Sequence, residues 1–216
     1  MEKLLEGFKK FRNEVFEKKR SLFHRLSLQQ QPRALFITCS DSRIDPCLLT
    51  QTGPGELFIL RNAGNLVPSY GTTVGSTTAT IEYAVGVLDI RNIIVCGHTD
   101  CGVMKALLAP DQIGDLPAVK AWLTQAEATR RVVKENYAHL SGEALLVATI
   151  QENVRIQLEH LQTHPTVAAK LRRAALHLHG WVYSISTGDV WAYDFRKDRF
   201  LSLLPAHPRT RSRQRS

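Results

Sequence analysis

The sequence predicts an α/β domain: a central, mostly parallel β-sheet flanked by helices, with an amphipathic helix at the N-terminus and a β-hairpin near the C-terminus. Three observations predict it. PRALFIT (32–38), ELFILRN (56–62) and RNIIVCG (91–97) are short and apolar at both odd and even positions, the pattern of strands covered on two faces. Between the second and third, GSTTATIEYAVGVLDI (75–90) passes from a Ser/Thr-rich start into helical spacing, as a parallel crossover requires. With 216 residues and 44% hydrophobic content, the chain can bury one sizeable core. Residues 1–205 are expected to form that single domain, and 206–216 a disordered basic tail.

The remaining elements follow in order. Leu4, Phe8, Phe11, Val15, Phe23 and Leu26 recur at helical spacing among Lys, Arg and Glu, so residues 2–26 read as an amphipathic helix. Glutamates on its polar face argue that the apolar stripe packs on its own domain or a partner subunit rather than on a membrane. After the third strand come KALLAP and two longer helical stretches, 117–140 and 142–164, divided by Ser141-Gly142. Pro165 opens a further helix, PTVAAKLRRAAL. GWVYSISTGDVWAYDF (180–195) alternates around Thr187-Gly188-Asp189 and reads as a hairpin.

Charge and cysteine content narrow the function classes. Of the net charge of +8, residues 1–27 carry eight Lys/Arg against four Asp/Glu, and 206–216 carry four Arg with no acid. The intervening chain is balanced, so nucleic acid is not expected as a partner. Four cysteines with no signal-like segment imply reduced thiols and a cytoplasmic setting, so clustered cysteines read as metal ligands or nucleophiles. No apolar run approaches the ~20 residues of a membrane helix.

Two ionisable clusters stand at the carboxyl ends of predicted parallel strands: Cys39-Ser-Asp41-Ser-Arg43 and His98-Thr-Asp100-Cys101. That edge of an open α/β sheet is where sites are built, so the two are expected to converge. Cys39, His98 and Cys101 make a ligand set for Zn²⁺ with a fourth position open to water or substrate. Asp41 alternates with Cys39 and Arg43, so in an extended segment all three share a side. Asp41 could accept a hydrogen bond from the ligand at the open position while Arg43 keeps it ionised, or could itself become the fourth ligand. Cys96 reads as a small core residue, whereas Cys47 could complete a closed Cys₃His site. Only three residues separate Cys39 from Arg43, too few for the phosphate loop of a thiol phosphatase.

CSDSRIDP, PGELFILRNAGNLVP, GSTTATIEYAV and IIVCGHTDCGVMKALL resemble, in order and spacing, the metal and pocket motifs of the β-class carbonic anhydrases. The resemblance implies one Zn²⁺ per subunit on Cys39, His98 and Cys101, with Asp41 and Arg43 as catalytic dyad. It implies a substrate pocket drawn from Gln30, Phe58, Ala63, Tyr83 and Gly102. Glutamine, phenylalanine and tyrosine can come from the facing subunit in this family, which implies a homodimer or higher homo-oligomer. Phe36 stands where another branch has the tryptophan of an inhibitory bicarbonate site, so that site is not expected. ATRRVVKENY and the closing hairpin look similar to the carboxysomal enzymes of cyanobacteria, which leaves cytoplasm and carboxysome, with shell components as partners, both open.

The activity so implied is reversible hydration of CO₂ to bicarbonate, with hydroxide from a metal-acidified water attacking carbon in an apolar pocket. It would rise with pH and fail where Asp41 captures the metal. Two alternatives remain at this point: a structural-zinc binding or shell protein without hydration activity, and a related hydrolase acting on COS or CS₂.

Overall fold

The computed structural model describes residues 1–72 and 75–204. The segment expected as a basic tail, 206–216, lies outside the described residues. Six strands form one sheet in the order β2-β1-β3-β4-β5-β6. β1 (Ala34–Cys39), β2 (Leu57–Asn62), β3 (Asn92–His98) and β4 (His177–Tyr183) are parallel. β5 (Val190–Asp194) and β6 (Arg199–Ser202) extend the sheet antiparallel.

The three strands expected from the sequence form where the apolar runs lie, but they are not covered alike. Every residue of β1 is buried, and all of β3 beyond Asn92. In β2 only Leu60 is buried, and Ile59 is exposed. The expectation that ELFILRN is covered on both faces is therefore corrected: β2 is an edge strand, with Leu57 and Phe58 only half-buried against the core and Ile59 exposed. The predicted hairpin forms as β4–β5, and its first strand also pairs in parallel with β3. β6 was not anticipated.

Helix α4 (Ser76–Gly86) makes the crossover from β2 to β3. Helix α8 (Gly142–Thr163) packs across β3 and β4 with Ile150, Val154, Leu158 and Leu161 buried. It comes close because two glycines face it. A Cβ on Gly97 would lie 3.0 Å from Val154 Cγ2, and one on Gly180 would lie 2.8 Å from Leu158 Cδ1.

Two helical expectations are revised. The stretch 117–140 is not one helix: α6 (Pro117–Leu123) and α7 (Glu127–Asn136) are separated by a 3₁₀ turn at Thr124–Ala126, where the Thr124 hydroxyl donates to Ala121 O. The N-terminal segment is α1 (Glu2–Lys10), a π-helical stretch over Phe11–Phe16, and α2 (Arg20–Leu28). None of these three pieces contains a buried residue, and Leu4, Leu5, Phe8, Phe11 and Val15 are exposed. Of the two surfaces expected for its apolar stripe, its own domain meets only the end, where half-buried Leu26 lies against Gly55, and leaves Leu4 to Val15 exposed. Among the described residues no helix is long and apolar enough to cross a membrane.

Candidate metal centre

β1 ends at Cys39 and β3 at His98, and their register, Leu35 opposite Ile93 through Thr38 opposite Cys96, brings both strand ends to one level. Thr38 pins it: its buried hydroxyl donates to Cys96 O at 2.8 Å, one residue before the cysteine. The chain then turns through Asp100, at φ 59 in the left-handed region that Asp tolerates better than most residues, and returns Cys101 to the site. The Thr99–Ser184 side of this turn is tied down by Thr99 N–H to Tyr183 O and Ile185 N–H to Thr99 Oγ1.

The sulfurs of Cys39 and Cys101 and a His98 ring nitrogen lie within 4.8 Å of one another, all three residues buried. His98 Nδ1 is 2.9 Å from Thr99 O; a carbonyl only accepts, so Nδ1 carries the proton and the neutral ring presents a bare Nε2. That Nε2 is buried without a hydrogen-bond partner. Such an orphan is costly unless something binds it. Two sulfurs and an imidazole nitrogen suit Zn²⁺ and not Mg²⁺ or Ca²⁺, so the residues present fit the ion.

The protonation balance is consistent with a ligand set. The hydrogen bond from the Cys101 thiol, against opposing burial, pulls the Cys39 thiol far down, and His98 and backbone donors pull it further. Cys101 is pushed up because it is that donor and because it is buried. Burial pushes His98 down, but Cys39, the Thr99 carbonyl and Asp41 outweigh it and the net direction is up. Cys96 is fully buried in β3 and its thiol is raised by desolvation, as a core residue. Cys47 lies in α3 (Pro46–Thr50), outside the trio, so the closed Cys₃His arrangement is not formed.

Asp41 stands at the edge of the trio, its Oδ2 3.8 Å from His98 Nε2. Arg43 grips it with both prongs of its fork, Nε to Oδ1 at 3.0 Å and Nη2 to Oδ2 at 2.7 Å, and its backbone N–H adds a third bond to Oδ1 at 2.9 Å. These bonds hold the Asp41 carboxyl well below the usual carboxylate range, against partial burial. Asp100 takes the other side of the guanidinium, accepting Nη1 at 2.8 Å, and also pairs with Lys105. These cations lower Asp100 to about 2. A cleft of about 920 Å³ opens on this outer side, lined by Arg43, Asp100, Lys105, Leu146, Ser184 and Trp191 and by none of the trio.

The expected pocket residues divide. Ala63 follows β2, with Gly64 donating its N–H to Cys39 Sγ at 3.4 Å; Gly102 follows Cys101 and begins α5 (Gly102–Leu108). Phe58 and Tyr83 lie side by side, ring centroids 6.1 Å apart, and Tyr83 is exposed. Gln30 is exposed in the link between α2 and β1. The structure thus brings Ala63 and Gly102 next to the Cys-His-Cys trio and leaves Gln30 and Tyr83 facing outward. Asp100 stands in the second cluster expected from the sequence, but its bond to Arg43 was not anticipated, and Arg61 was missed altogether. Arg61 donates to the carbonyls of Cys39 (3.1 Å), Asp41 (2.7 Å) and Ile44 (2.9 Å), fastening the whole turn that carries Asp41 and Arg43. A lone charge inside the apolar run LFILRN was the available signal.

Residues 34–190 match the family model described as carbonic anhydrase. The chain belongs to the β-carbonic anhydrases. A carbonic anhydrase from Synechocystis is 51% identical over 195 residues, covering 90% of this chain and 71% of the relative. One from Pseudomonas aeruginosa is 47% identical over 212 residues, covering 98% and 96%. The solved β-carbonic anhydrase CcaA superposes with a TM-score of 0.92 at 49% identity, covering 94% of this chain and 98% of that one. The α/β fold with its C-terminal antiparallel strands is the fold of this family, and the chain is accordingly an enzyme of the carbonic anhydrase type.

Proposed function

We propose that this chain hydrates CO₂ reversibly to bicarbonate using one Zn²⁺ per subunit held by Cys39, His98 and Cys101, with Asp41 and Arg43 as its catalytic dyad. The observation that carries the reading is a guanidinium-locked carboxylate 3.8 Å from the unpartnered Nε2 of a buried Cys-His-Cys trio. When bound, the metal supplies Lewis acidity, lowering the pKa of a water at its open position.

The chain's own residues do the rest. Arg43 keeps Asp41 ionised and, by binding both oxygens, fixes the direction of the carboxylate. Asp41 Oδ2 is then a proton acceptor beside the trio, able to hold the attacking oxygen by a hydrogen bond and aim its lone pair. Asp100 and Arg61 keep the fork and its turn from shifting. Ala63 and the Gly102 backbone provide the near wall for a linear, apolar substrate. Gln30, Phe58 and Tyr83 are contributed to the facing subunit's pocket, and the uncovered apolar arm of α1 and α2 supports a homodimer as the smallest complete unit. The same 3.8 Å approach supports the second role of Asp41: if it leaves Arg43, it becomes the fourth ligand and shuts the site.

Asp41→Ala tests the dyad. Zinc content should stay at one per chain while stopped-flow CO₂ hydration falls by about 10²–10⁴-fold, the range for a positioned proton acceptor. An undiminished rate with zinc retained would reject the role.

A further inference from the structure

We propose that Trp122 is a positioning residue for Cys39, acting through the Ala63–Gly64 peptide; the inference rests on the reading that Cys39 binds the metal. Both polar atoms of that one peptide unit are engaged. Its carbonyl, Ala63 O, accepts from the Trp122 indole Nε1–H at 2.7 Å. Its N–H, on Gly64, donates to Cys39 Sγ at 3.4 Å. The peptide is planar and turns as a unit, so its N–H cannot leave the sulfur unless its carbonyl leaves the indole. The two bonds also run head to tail through one amide and polarise each other.

The position needs such a restraint. Gly64 sits at φ +82, and a Cβ there would lie 2.7 Å from Val103 Cγ1, so glycine is required and its backbone freedom comes with it. The next peptide is held independently, Gly64 O accepting from Asn153 Nδ2 at 3.0 Å, with Gln157 Nε2 bonded in turn to Asn153 Oδ1 at 3.0 Å. These amides sit on the buried face of α8, where apolar side chains would otherwise pack. Trp122 reaches the site from α6, and its ring packs against the main core. An N–H bonded to a ligand sulfur orients it and withdraws electron density from it, which sets how firmly that sulfur donates to a metal.

Trp122→Phe removes the donor and keeps an aromatic ring; 3-benzothienylalanine at position 122 keeps the bicyclic shape as well. In the Co²⁺-substituted full-length protein, both changes should move the sulfur-to-cobalt charge-transfer band to longer wavelength. By chelator competition, both should weaken zinc binding by roughly 10–100-fold, the usual effect of losing an outer partner of a ligand. The melting temperature of the metal-free protein should stay near that of the parent. A band and a zinc affinity unchanged within about twofold would overturn the inference, and so would a lower melting temperature with an unmoved band, which would mark a packing role alone. Failure of the parent protein to take up either metal is a separate result, seen in its own titration, and would bring down the ligand assignment together with this inference.

Discussion

Removing and restoring the metal should change stability by an amount that depends on pH in a direction fixed by the trio. A ligand that binds only the native chain stabilises it by RT ln(1 + [L]/Kd), about 4.1 kcal/mol at a free zinc concentration of ~1,000 Kd. For a domain of this size, 1 kcal/mol moves Tm by about 2–4 °C, so zinc should raise it by about 8–16 °C. The metal takes Cys101 as a thiolate, but in the metal-free trio its thiol is pushed up by donating to Cys39 and by burial, so its proton must be displaced. Cys39 is already pulled down and adds no such demand near neutrality. Below the raised Cys101 value each pH unit therefore costs a factor of ten in affinity, about 1.4 kcal/mol or roughly 3–6 °C of the zinc-dependent shift. His98, whose net direction is also up, adds to this at the acidic end and carries the same sign. The assay is a thermal scan with chelator and with zinc at pH 6, 7 and 8, for the parent and for Cys101→Ser. The zinc-dependent shift should grow with pH and largely vanish in the variant. A shift that shrinks as pH rises, or survives Cys101→Ser intact, refutes this account of the ligands.

Two further outcomes are expected. Gly180→Ala puts a methyl 2.8 Å from Leu158 Cδ1 and 3.0 Å from Val154 Cγ1 and should destabilise the fold by about 1–3 kcal/mol, read as a lower urea midpoint at unchanged m-value. Phe8→Glu with Phe11→Glu places charges on the exposed arm; if the proposed dimer forms through it, light scattering should give a multiple of 24.3 kDa for the parent and a mass near 24.3 kDa for the variant, and equal masses would show that the arm is not an interface.

The sheet's centre was legible because β1 and β3 are buried on both faces and are apolar at odd and even positions alike over Ala34–Ile37 and Ile93–Cys96, in runs too short for a helix. The convergence of Cys39 with His98 and Cys101 was legible for the same reason: two adjacent parallel strands place their carboxyl ends at one edge. The identical reasoning failed for β2, whose apolar run lies at the edge of the sheet and is only partly buried. It also failed for 117–140, since helical spacing on either side of Thr124 does not record a one-turn change of pitch. The supports of the site were the least legible. Arg61, Asp100 and Trp122 act by reaching backbone or guanidinium groups 17 to 59 residues away, and local periodicity carries no trace of such reach.

The metal centre is best understood as a consequence of strand register. Cys39 belongs to β1 and His98 to β3, and a slip of one residue would move one by about 3.3 Å and turn its side chain to the opposite face. A slip of that size is comparable to the whole 4.8 Å span of the trio, so the site tolerates no alternative pairing. What enforces the pairing is the core itself: Leu35, Ile37, Ile93 and Val95 are fully buried, and a slip would trade them for Phe36, Ile94 and Cys96, which pack in a separate cluster on the other face with Ile44. The buried bond from Thr38 to Cys96 O and the close seating of α8 on Gly97 each fix β3 within two residues of His98. Packing and ligand geometry are therefore one constraint: the side chains that make the sheet stable are those that decide where the sulfur and the imidazole nitrogen meet.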